Sequence, residues 1–226
     1  MTGLIVALDT AHPAVARRWA DAVAPHCAIL KLGLEFMLAV GPDGVRSVRQ
    51  RPVFLDLKLH DIPNTVAGAV RAVLPLEPHM LTLHAGGGRA MIEAARRVAD
   101  NSATPPLLLA VTVLTSLDSS ALHATGVAGG PRQQVLRLAR LAVASGADGL
   151  VCSAHEVAML RDALGAGPIL VAPGIRPAGA DTADQARTMT PAEAAQAGAD
   201  WIVVGRPVTS ADDPAAAAAA IARELA

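Results

Sequence analysis

Aromatic side chains are nearly absent from this sequence of 226 residues, which contains two Phe, two Trp and no Tyr. Proteins that bind single-stranded nucleic acid stack the bases on aromatic rings. The charges are also balanced, with 19 Lys and Arg against 20 Asp and Glu, and no basic block offers a footprint for a polyanion or a membrane surface. We therefore expect neither nucleic-acid binding nor membrane binding.

Cysteine is equally scarce, because the chain has only Cys27 and Cys152, which lie far apart. With no C-x-x-C motif and no Cys/His cluster, the sequence predicts neither a zinc site nor a disulfide framework. The N-terminus lacks the basic segment of a signal peptide, and no apolar run reaches the length of a membrane span. The expected location is the cytoplasm, with both thiols reduced.

Aliphatic side chains are abundant instead: 52% of the residues are hydrophobic and 17% are charged. Short apolar runs of strand length recur, each followed by a stretch of helical character. The runs are residues 4–8, 28–32, 53–57, 80–83, 107–113, 149–151, 169–172 and 201–204. Eight β–α alternations favour the α/β class and a (β/α)8 TIM barrel over a doubly wound sheet. Without a linker, residues 1–226 are expected to form a single domain.

Helical spacing occurs at 14–24, 66–73, 91–99, 135–144 and 192–197. The alanine run at 215–220 follows Asp212-Asp213-Pro214, which is a typical helix start, so we predict a closing helix there. Two long stretches rich in Gly, Pro, Ser and Asp follow the fifth and seventh strands, at 119–132 and 175–190. Their length marks them as candidate active-site loops.

Charged residues stand near the C-terminal ends of the first four predicted strands. Asp9 ends the first, Lys31 the second, Asp56 and Lys58 the third, and His84 the fourth. Barrel strands are buried on both faces, so such charges are unusual, and barrel active sites are built at this end. Each charge taken alone is also explained as a polar strand end or as one half of a salt bridge.

The third strand carries two of these charges in alternate positions. Period-two alternation places Asp56 and Lys58 on one face of the strand and the intervening leucines on the other, towards the helices. The charges then point into the barrel mouth, where Asp9 and Lys31 can meet them. An unlike pair about 4 Å apart attracts by roughly 4 kcal/mol at an effective dielectric constant near 20, which keeps every member ionised.

His84 has two interpretations. Its ring either enters the barrel mouth or is a structural histidine whose hydrogen bonds are satisfied inside the protein. The following Gly86-Gly87-Gly88 does not match G-x-G-x-x-G, and a loop that needs close packing explains it as well as a ligand does.

The last two β–α units carry a signal for phosphate binding. After the eighth strand, Gly205-Arg206-Pro207 places a bare backbone N–H and a guanidinium at a helix start. Loops after the seventh and eighth barrel strands often bind phosphate, and the seventh loop supplies Arg176 and Gln185. A surface arginine paired with an aspartate explains Arg206 equally well.

These motifs resemble those of the orotidine 5′-phosphate decarboxylase family, and specifically its bacterial branch. The most specific element is Phe54-Leu55-Asp56-Leu57-Lys58-Leu59-His60-Asp61-Ile62-Pro63-Asn64-Thr65. Supporting matches are Leu8-Asp9, Lys31-Leu32-Gly33, Val113-Leu114-Thr115-Ser116, Ala172-Pro173-Gly174-Ile175-Arg176 and Val204-Gly205-Arg206-Pro207. The resemblance runs end to end and implies a carboxy-lyase of pyrimidine biosynthesis, which converts orotidine 5′-phosphate to UMP and CO2.

The resemblance also implies a role for each matched catalytic residue. Lys58 is expected to protonate C6 of the pyrimidine, Asp56 to lie against the departing carboxylate, and Lys31 to join the charge network and contact the ribose. Asp61 and Thr65 are expected to reach the neighbouring subunit's site in a homodimer with shared active sites. No metal and no organic cofactor is expected.

The implied substrate-binding set is larger than the catalytic one. It consists of Asp9, Lys31, Asp56, Leu57, Lys58, Leu59, His60, Asp61, Ile62, Pro63, Asn64, Thr65, Thr115, Ser116, Arg176, Gln185, Gly205 and Arg206. Within this set, Asp9 is expected to bind a ribose hydroxyl, while Thr115 and Ser116 approach the pyrimidine ring. The phosphate grip is expected to consist of Arg176, Gln185, Gly205 and Arg206.

Two other functions fit part of the pattern. A Mg²⁺-dependent sugar-phosphate lyase or aldolase of the same superfamily shares the D-x-K-x-x-D motif, but it needs a carboxylate near the end of strand two. This chain has Lys31 there, and Glu35 falls in the following helix. A barrel that binds a phosphorylated nucleotide without catalysis is expected to lack a catalytic residue, whereas Lys31, Asp56, Lys58 and Asp61 are all present.

Overall fold

A computed structural model describes residues 1–177 and 189–225. Eight parallel strands close into a barrel in sequence order. They are β1 (Gly3–Ala7), β2 (Ile29–Gly33), β3 (Val53–Leu59), β4 (Met80–His84), β5 (Leu107–Val111), β6 (Gly149–Val151), β7 (Ile169–Ala172) and β8 (Trp201–Val204). The predicted (β/α)8 barrel is confirmed, and no strand end departs from its predicted position by more than two residues.

Helices surround the barrel. They are α1 (Pro13–Val23), α2 (Leu34–Arg46), α3 (Pro63–Val73), α4 (Gly88–Ala99), α5 (Ser119–Ala124), α6 (Pro131–Ala144), α7 (Val157–Leu164), α8 (Pro191–Gln196), α9 (Arg206–Thr209) and α10 (Pro214–Glu224). The five helices predicted from spacing begin one to four residues earlier than expected. Four of them start at a proline and one at a glycine. Proline is well tolerated at the first helical position, because the N–H that it lacks would have no partner within the helix. The spacing of apolar residues does not reveal this first turn, so the predicted helices begin too late.

The predicted closing helix is confirmed, whereas the stretch predicted as the first candidate loop contains a helix. The side chain of Asp213 caps α10 by accepting a hydrogen bond from the Ala216 N–H, at 3.0 Å, as the predicted helix start requires. The stretch at 119–132 was expected to be a loop, but α5 lies within it. Asp118 caps that helix through the Ala121 N–H, at 2.8 Å, because a short polar side chain satisfies a free donor at a helix start.

The apolar core has two layers. The larger one lies between the strands and the helices and includes Leu55 and Leu57. The smaller one fills the barrel interior and consists of Ile5, Ala7, Ile29, Phe54, Met80, Leu109, Val171 and Val203. The alternation of side chains along each strand separates the two layers. Leu57 is buried in the outer layer and Leu59 packs against it, so the side chains of these two predicted substrate-binding residues face the helices.

The pairing of β3 with β4 contains an irregularity. Leu55 pairs with Leu81 and Leu59 with Leu83, so a step of four residues along β3 lies opposite a step of two residues along β4. Within this bulge, Lys58 adopts the left-handed backbone conformation, with φ of 47°. A non-glycine residue held in such a conformation costs about 1–3 kcal/mol, and bulges often re-aim a side chain near an active site.

Candidate active site

The polar residues of the barrel mouth lie two positions beyond inward-facing core residues on the same strands. Lys31 follows Ile29 by two residues, and Asp56 follows Phe54 by two, where Ile29 and Phe54 both belong to the interior layer. Asp9 stands in the same relation to Ala7 on β1. Strand periodicity thus places three charged side chains directly above the apolar floor of the barrel.

Four charged groups form a continuous chain across the mouth. The Lys31 Nζ atom lies 3.0 Å from Asp9 Oδ1 and 3.5 Å from Asp56 Oδ2. The Lys58 Nζ atom lies 2.8 Å from the same Asp56 Oδ2. Acid and base therefore alternate in the order Asp9, Lys31, Asp56, Lys58, and the structure brings together the four residues that the sequence placed at the mouth. Lys31 and Lys58 are also the only lysines of the chain.

Burial distinguishes the members of this chain. The side chain of Lys31 is 9% exposed and that of Asp56 is 13% exposed, whereas Lys58 retains 33% of its exposure. Burial raises the pKa of Asp56, but the ammonium groups of Lys31 and Lys58, with hydrogen bonds from Lys58 and Thr82, outweigh it and lower the pKa below its ordinary value. Asp56 is therefore ionised, and the Lys58 ammonium is open to a ligand.

Thr82 belongs to this network although it is absent from the predicted site. Its hydroxyl accepts a hydrogen bond from the Lys58 backbone N–H at 2.8 Å and donates one to Asp56 Oδ1 at 2.9 Å. The side chain is fully buried on β4. The available signal was a single threonine between leucines, at an inward position of an otherwise apolar strand.

Gly33 also lies against the network. A Cβ atom at this position would stand 3.1 Å from Asp9 Oδ1 and 3.3 Å from the Lys31 Nζ atom. Any larger residue would therefore press on the Asp9–Lys31 contact. The glycine was part of a sequence motif, but only the folded backbone shows what it adjoins.

Two cavities meet at the charged chain, and both are lined by Lys31, Asp56 and Lys58. The walls of the first are mostly apolar, namely Phe54, Val111, Val113, Leu114, Thr115, Val151, Cys152, Pro173 and Val203. The second is more polar and includes Asp9, Gly174, Arg176, Gly205, Arg206 and Thr209. A ligand that spans both cavities would have an apolar end and an anionic end, with its middle at Lys58.

The polar cavity contains the predicted phosphate residues that the structure describes. Arg176 is buried, and its Nη1 donates a hydrogen bond to the Ile175 carbonyl oxygen at 2.9 Å, while Arg206 is exposed at the start of α9. At Gly205, an added Cβ atom would lie 3.6 Å from the Ala7 Cβ atom, so the backbone runs close to β1. Gln185 lies outside the described residues.

Of the other predicted site residues, some line the wall of the apolar cavity and others lie on the exposed rim of the barrel. Thr115 lines the apolar cavity, and Ser116 is exposed in the turn that follows it. All residues from His60 to Thr65 are exposed, and they line neither cavity. The Asp61 carboxylate accepts a hydrogen bond from the Ile62 N–H at 2.6 Å, and Ile62 is 66% exposed. This rim segment (60–65) thus lies outside the two cavities of its own barrel.

His84 lies outside both cavities and stacks on His60, with ring centroids 5.1 Å apart. Burial, followed by His60 and Lys58, lowers the pKa of His84. Of the adjacent glycines, Gly87 is closely packed, because a Cβ atom there would lie 2.0 Å from the Met91 sulfur atom, whereas Gly88 has open space at its Cβ position and a left-handed φ of 82°. The His84 ring therefore lies outside the two cavities, and close packing accounts for Gly87 only.

Both cysteines are free and buried. Cys152 lies in the wall of the apolar cavity, where burial and then Glu156 raise the pKa of its thiol. It therefore offers the ligand a neutral surface. Among residues 1–177 and 189–225, no group of three or more His, Cys, Asp or Glu side chains could hold a metal ion.

Comparison with known proteins assigns the family. The profile of the orotidine 5′-phosphate decarboxylase / HUMPS family matches residues 2–221. This chain belongs to that family. The orotidine 5′-phosphate decarboxylase of Gluconobacter oxydans (strain 621H) is 57% identical to it over 100% of this chain and 98% of the relative. That of Anaeromyxobacter sp. (strain K) is 58% identical over 98% of this chain and 97% of the relative.

Solved structures in the family have the same barrel. The crystal structure of orotidine 5′-phosphate decarboxylase from Lactobacillus acidophilus has a TM-score of 0.88 and 38% identity, covering 100% of this chain and 99% of that one. The enzyme from Pyrococcus horikoshii OT3 has a TM-score of 0.80 and 25% identity, covering 98% of each chain. The predicted family and the predicted enzyme class, a carboxy-lyase, are confirmed. No described helix is long and apolar enough to cross a membrane.

Proposed function

We propose that this protein converts orotidine 5′-phosphate to UMP and CO2 in pyrimidine biosynthesis, using its own Asp/Lys network and neither a metal nor an organic cofactor. The observation that carries the proposal is that the apolar cavity and the polar cavity, which contains two arginines, meet at Lys58 and Asp56. The substrate has a matching layout, with a flat pyrimidine, a ribose and a phosphate in sequence. The names of the relatives support the same substrate.

The two arginines orient the substrate in this proposal. Arg176 and Arg206 bind the phosphate by charge-assisted hydrogen bonds, together with the backbone N–H at Gly205. The pyrimidine then occupies the apolar cavity beside Thr115, with Ser116 in the adjoining turn. Asp9 and Lys31 lie between the two ends and bind the ribose hydroxyls. Binding energy gained at the phosphate, remote from C6, is available to order the reacting groups.

Lys58 supplies the chemistry at C6. The bond between C6 and the carboxylate breaks, CO2 leaves, and the electron pair stays on C6, where the ring has no adjacent electron sink. The Lys58 ammonium stabilises that charge electrostatically and then donates a proton from Nζ, which forms the C6–H bond of UMP. The neutral amine recovers its proton from water, because the Lys58 side chain is one-third exposed.

Asp56 has two tasks in the same step. Its Oδ2 atom, 2.8 Å from the Lys58 Nζ atom, pairs with that ammonium and holds it beside C6 until the carbanion forms. It also lies where the substrate carboxylate is expected, and the repulsion between the two anions is relieved as CO2 departs. The negative charge then resides on C6, next to the Lys58 ammonium.

The position of Lys31 argues against the Mg²⁺-dependent alternative. Its buried ammonium lies between Asp9 and Asp56, at 3.0 and 3.5 Å, and so occupies the place between two carboxylates that a divalent cation would need. Lys58, on the other side of Asp56, adds further repulsion. The lysines therefore neutralise the acidic residues that a metal would otherwise neutralise.

We also propose that two copies of the chain share their active sites. Asp61 and Thr65 lie on the exposed rim segment and line neither cavity of their own barrel. Ile62, between them, is 66% exposed, so a partner that covers it would bury apolar surface. Under a two-fold axis each rim segment would reach the mouth of the other barrel. The cytoplasmic location stays a prediction.

A turnover assay tests the function. Purified protein is given orotidine 5′-phosphate, and the loss of ring absorbance is followed before and after dialysis against EDTA. We expect equal rates, with no gain on adding Mg²⁺. Loss of activity in EDTA that Mg²⁺ restores would support the metal-dependent alternative. Tight binding of UMP without any turnover would instead indicate the non-catalytic barrel.

A further inference from the structure

We infer that Thr82 is a positioning residue for the decarboxylation: its hydroxyl holds the Lys58 backbone and the Asp56 carboxylate in their reactive arrangement. The inference rests on the proposed function. It concerns a side chain that reaches the reacting groups only through two other residues.

The first contact concerns the backbone. In the bulge of β3, Lys58 lies between the pairs Leu55–Leu81 and Leu59–Leu83, opposite Thr82 on β4. The Lys58 N–H donates to the Thr82 Oγ1 atom at 2.8 Å, so a side-chain oxygen serves as its acceptor. This bond accompanies the left-handed conformation of Lys58, with φ of 47°, and thus helps to aim its side chain.

The second contact concerns the carboxylate. The same Thr82 hydroxyl donates to Asp56 Oδ1 at 2.9 Å, while Asp56 Oδ2 accepts from the Lys58 Nζ atom at 2.8 Å. Each carboxylate oxygen therefore has its own donor, and the plane of the carboxylate is held from both sides. Thr82, Asp56 and Lys58 form a closed ring of hydrogen bonds that joins β4 to the two charges of β3.

Thr82 is buried completely, so water does not replace its hydroxyl directly. Valine has nearly the same shape but neither donates nor accepts, so Thr82→Val would leave the Lys58 N–H and Asp56 Oδ1 without this partner. Serine keeps the hydroxyl and loses only a methyl group. Comparing the valine and serine variants therefore separates the effect of losing the hydrogen bonds from the effect of losing packing contacts.

Thr112 provides a matched control. It is also buried, and its hydroxyl donates to the Val151 carbonyl oxygen at 3.3 Å rather than to a member of the charged chain. Thr112→Val therefore removes a buried threonine hydroxyl without touching Asp56 or Lys58. Any general cost to stability should occur in both valine variants, whereas an effect on the reaction should occur only at Thr82.

The experiment measures kcat, inhibition by UMP and thermal stability for Thr82→Val, Thr82→Ser and Thr112→Val. We expect kcat of Thr82→Val to fall about tenfold to hundredfold, with UMP inhibition within about threefold of the original, because the binding cavities are intact. Thr82→Ser should stay within about threefold of the original kcat. The acid limb of the Thr82→Val pH–rate profile should move to higher pH, since Asp56 loses a hydrogen bond that lowers its pKa.

Two results would overturn the inference. One is a kcat of Thr82→Val close to the original together with a stability loss like that of Thr112→Val. The other is an equal fall in kcat for the serine and valine variants. If Thr82→Val does not fold, Thr82→Ala and Thr112→Ala are compared in the same way.

The test of the positioning role of Thr82 can be distinguished from the test of the proposed function. If the unmodified protein does not turn over orotidine 5′-phosphate, the proposed function fails. The positioning role is then decided by an NMR titration of Asp56, whose pKa should rise in Thr82→Val and not in Thr112→Val. An unchanged Asp56 pKa in Thr82→Val would reject the role.

Discussion

The ammonium of Lys58 lies 2.8 Å from Asp56 Oδ2, although the two residues are separated by a single position on one strand. Alternation alone places both side chains on the same face of β3. The left-handed conformation at Lys58 then changes the direction of its side chain. The proposed proton donor and the carboxylate that pairs with it are thus parts of one short segment.

Replacing Lys58 with alanine should remove most of the activity. A positioned general acid contributes about 10²- to 10⁴-fold to a rate, and Lys58 is proposed to stabilise the carbanion as well. We expect kcat to fall by at least about that factor, with inhibition by UMP changed far less. Turnover of orotidine 5′-phosphate and UMP inhibition are measured on the same preparation. A kcat near the original would reject Lys58 as the donor.

The stability contributed by Asp56 should depend on pH on the acid side. Its pKa is below the ordinary value of about 3.9, so the folded state binds its proton more weakly than the unfolded state does. The contribution is therefore complete above the unfolded pKa and is lost as the pH falls through the folded pKa. Urea unfolding of the original protein and Asp56→Asn, compared from pH 7 to pH 3, should show a difference in free energy that shrinks towards acid. A constant difference would contradict the prediction.

Arg206 should recognise phosphate rather than the nucleoside. Its guanidinium lines the polar cavity, and charge-assisted hydrogen bonds contribute about 1.5–3 kcal/mol, or roughly tenfold to hundredfold in affinity. Arg206→Ala should weaken inhibition by UMP by that factor and leave inhibition by uridine nearly unchanged. Arg140, which is exposed on α6, serves as the control for the loss of one positive charge. Equal weakening of UMP and uridine would exclude Arg206 as the phosphate anchor.

Shared active sites should allow two inactive variants to restore each other. When Lys58→Ala and Asp61→Ala subunits exchange at random, half of the dimers are mixed, and each mixed dimer has one intact site and one with both lesions. About a quarter of the original activity should therefore return. Subunit exchange is monitored by native mass spectrometry. Exchange without any recovery of activity would assign Asp61 to the site of its own chain.

Much of the molecule follows from local patterns. The strands are short apolar runs, and period two along β3 correctly predicted that its leucines face the helices and that Asp56 and Lys58 face the mouth. The positions of Asp9 and Lys31 at the ends of the first two strands predicted that they lie beside them. These features are predictable because the alternation of side chains is a property of each strand taken alone.

Other features exist only after the strands pair. The bulge at Lys58 depends on the register between β3 and β4, which neither strand specifies alone, and the contact of Thr82 with Asp56 depends on that register. The stacking of His60 on His84 likewise joins residues from two strand ends. Residue types and their spacing thus indicate which groups are available for chemistry. The barrel decides which of them touch, because contacts between strands depend on the closure of all eight.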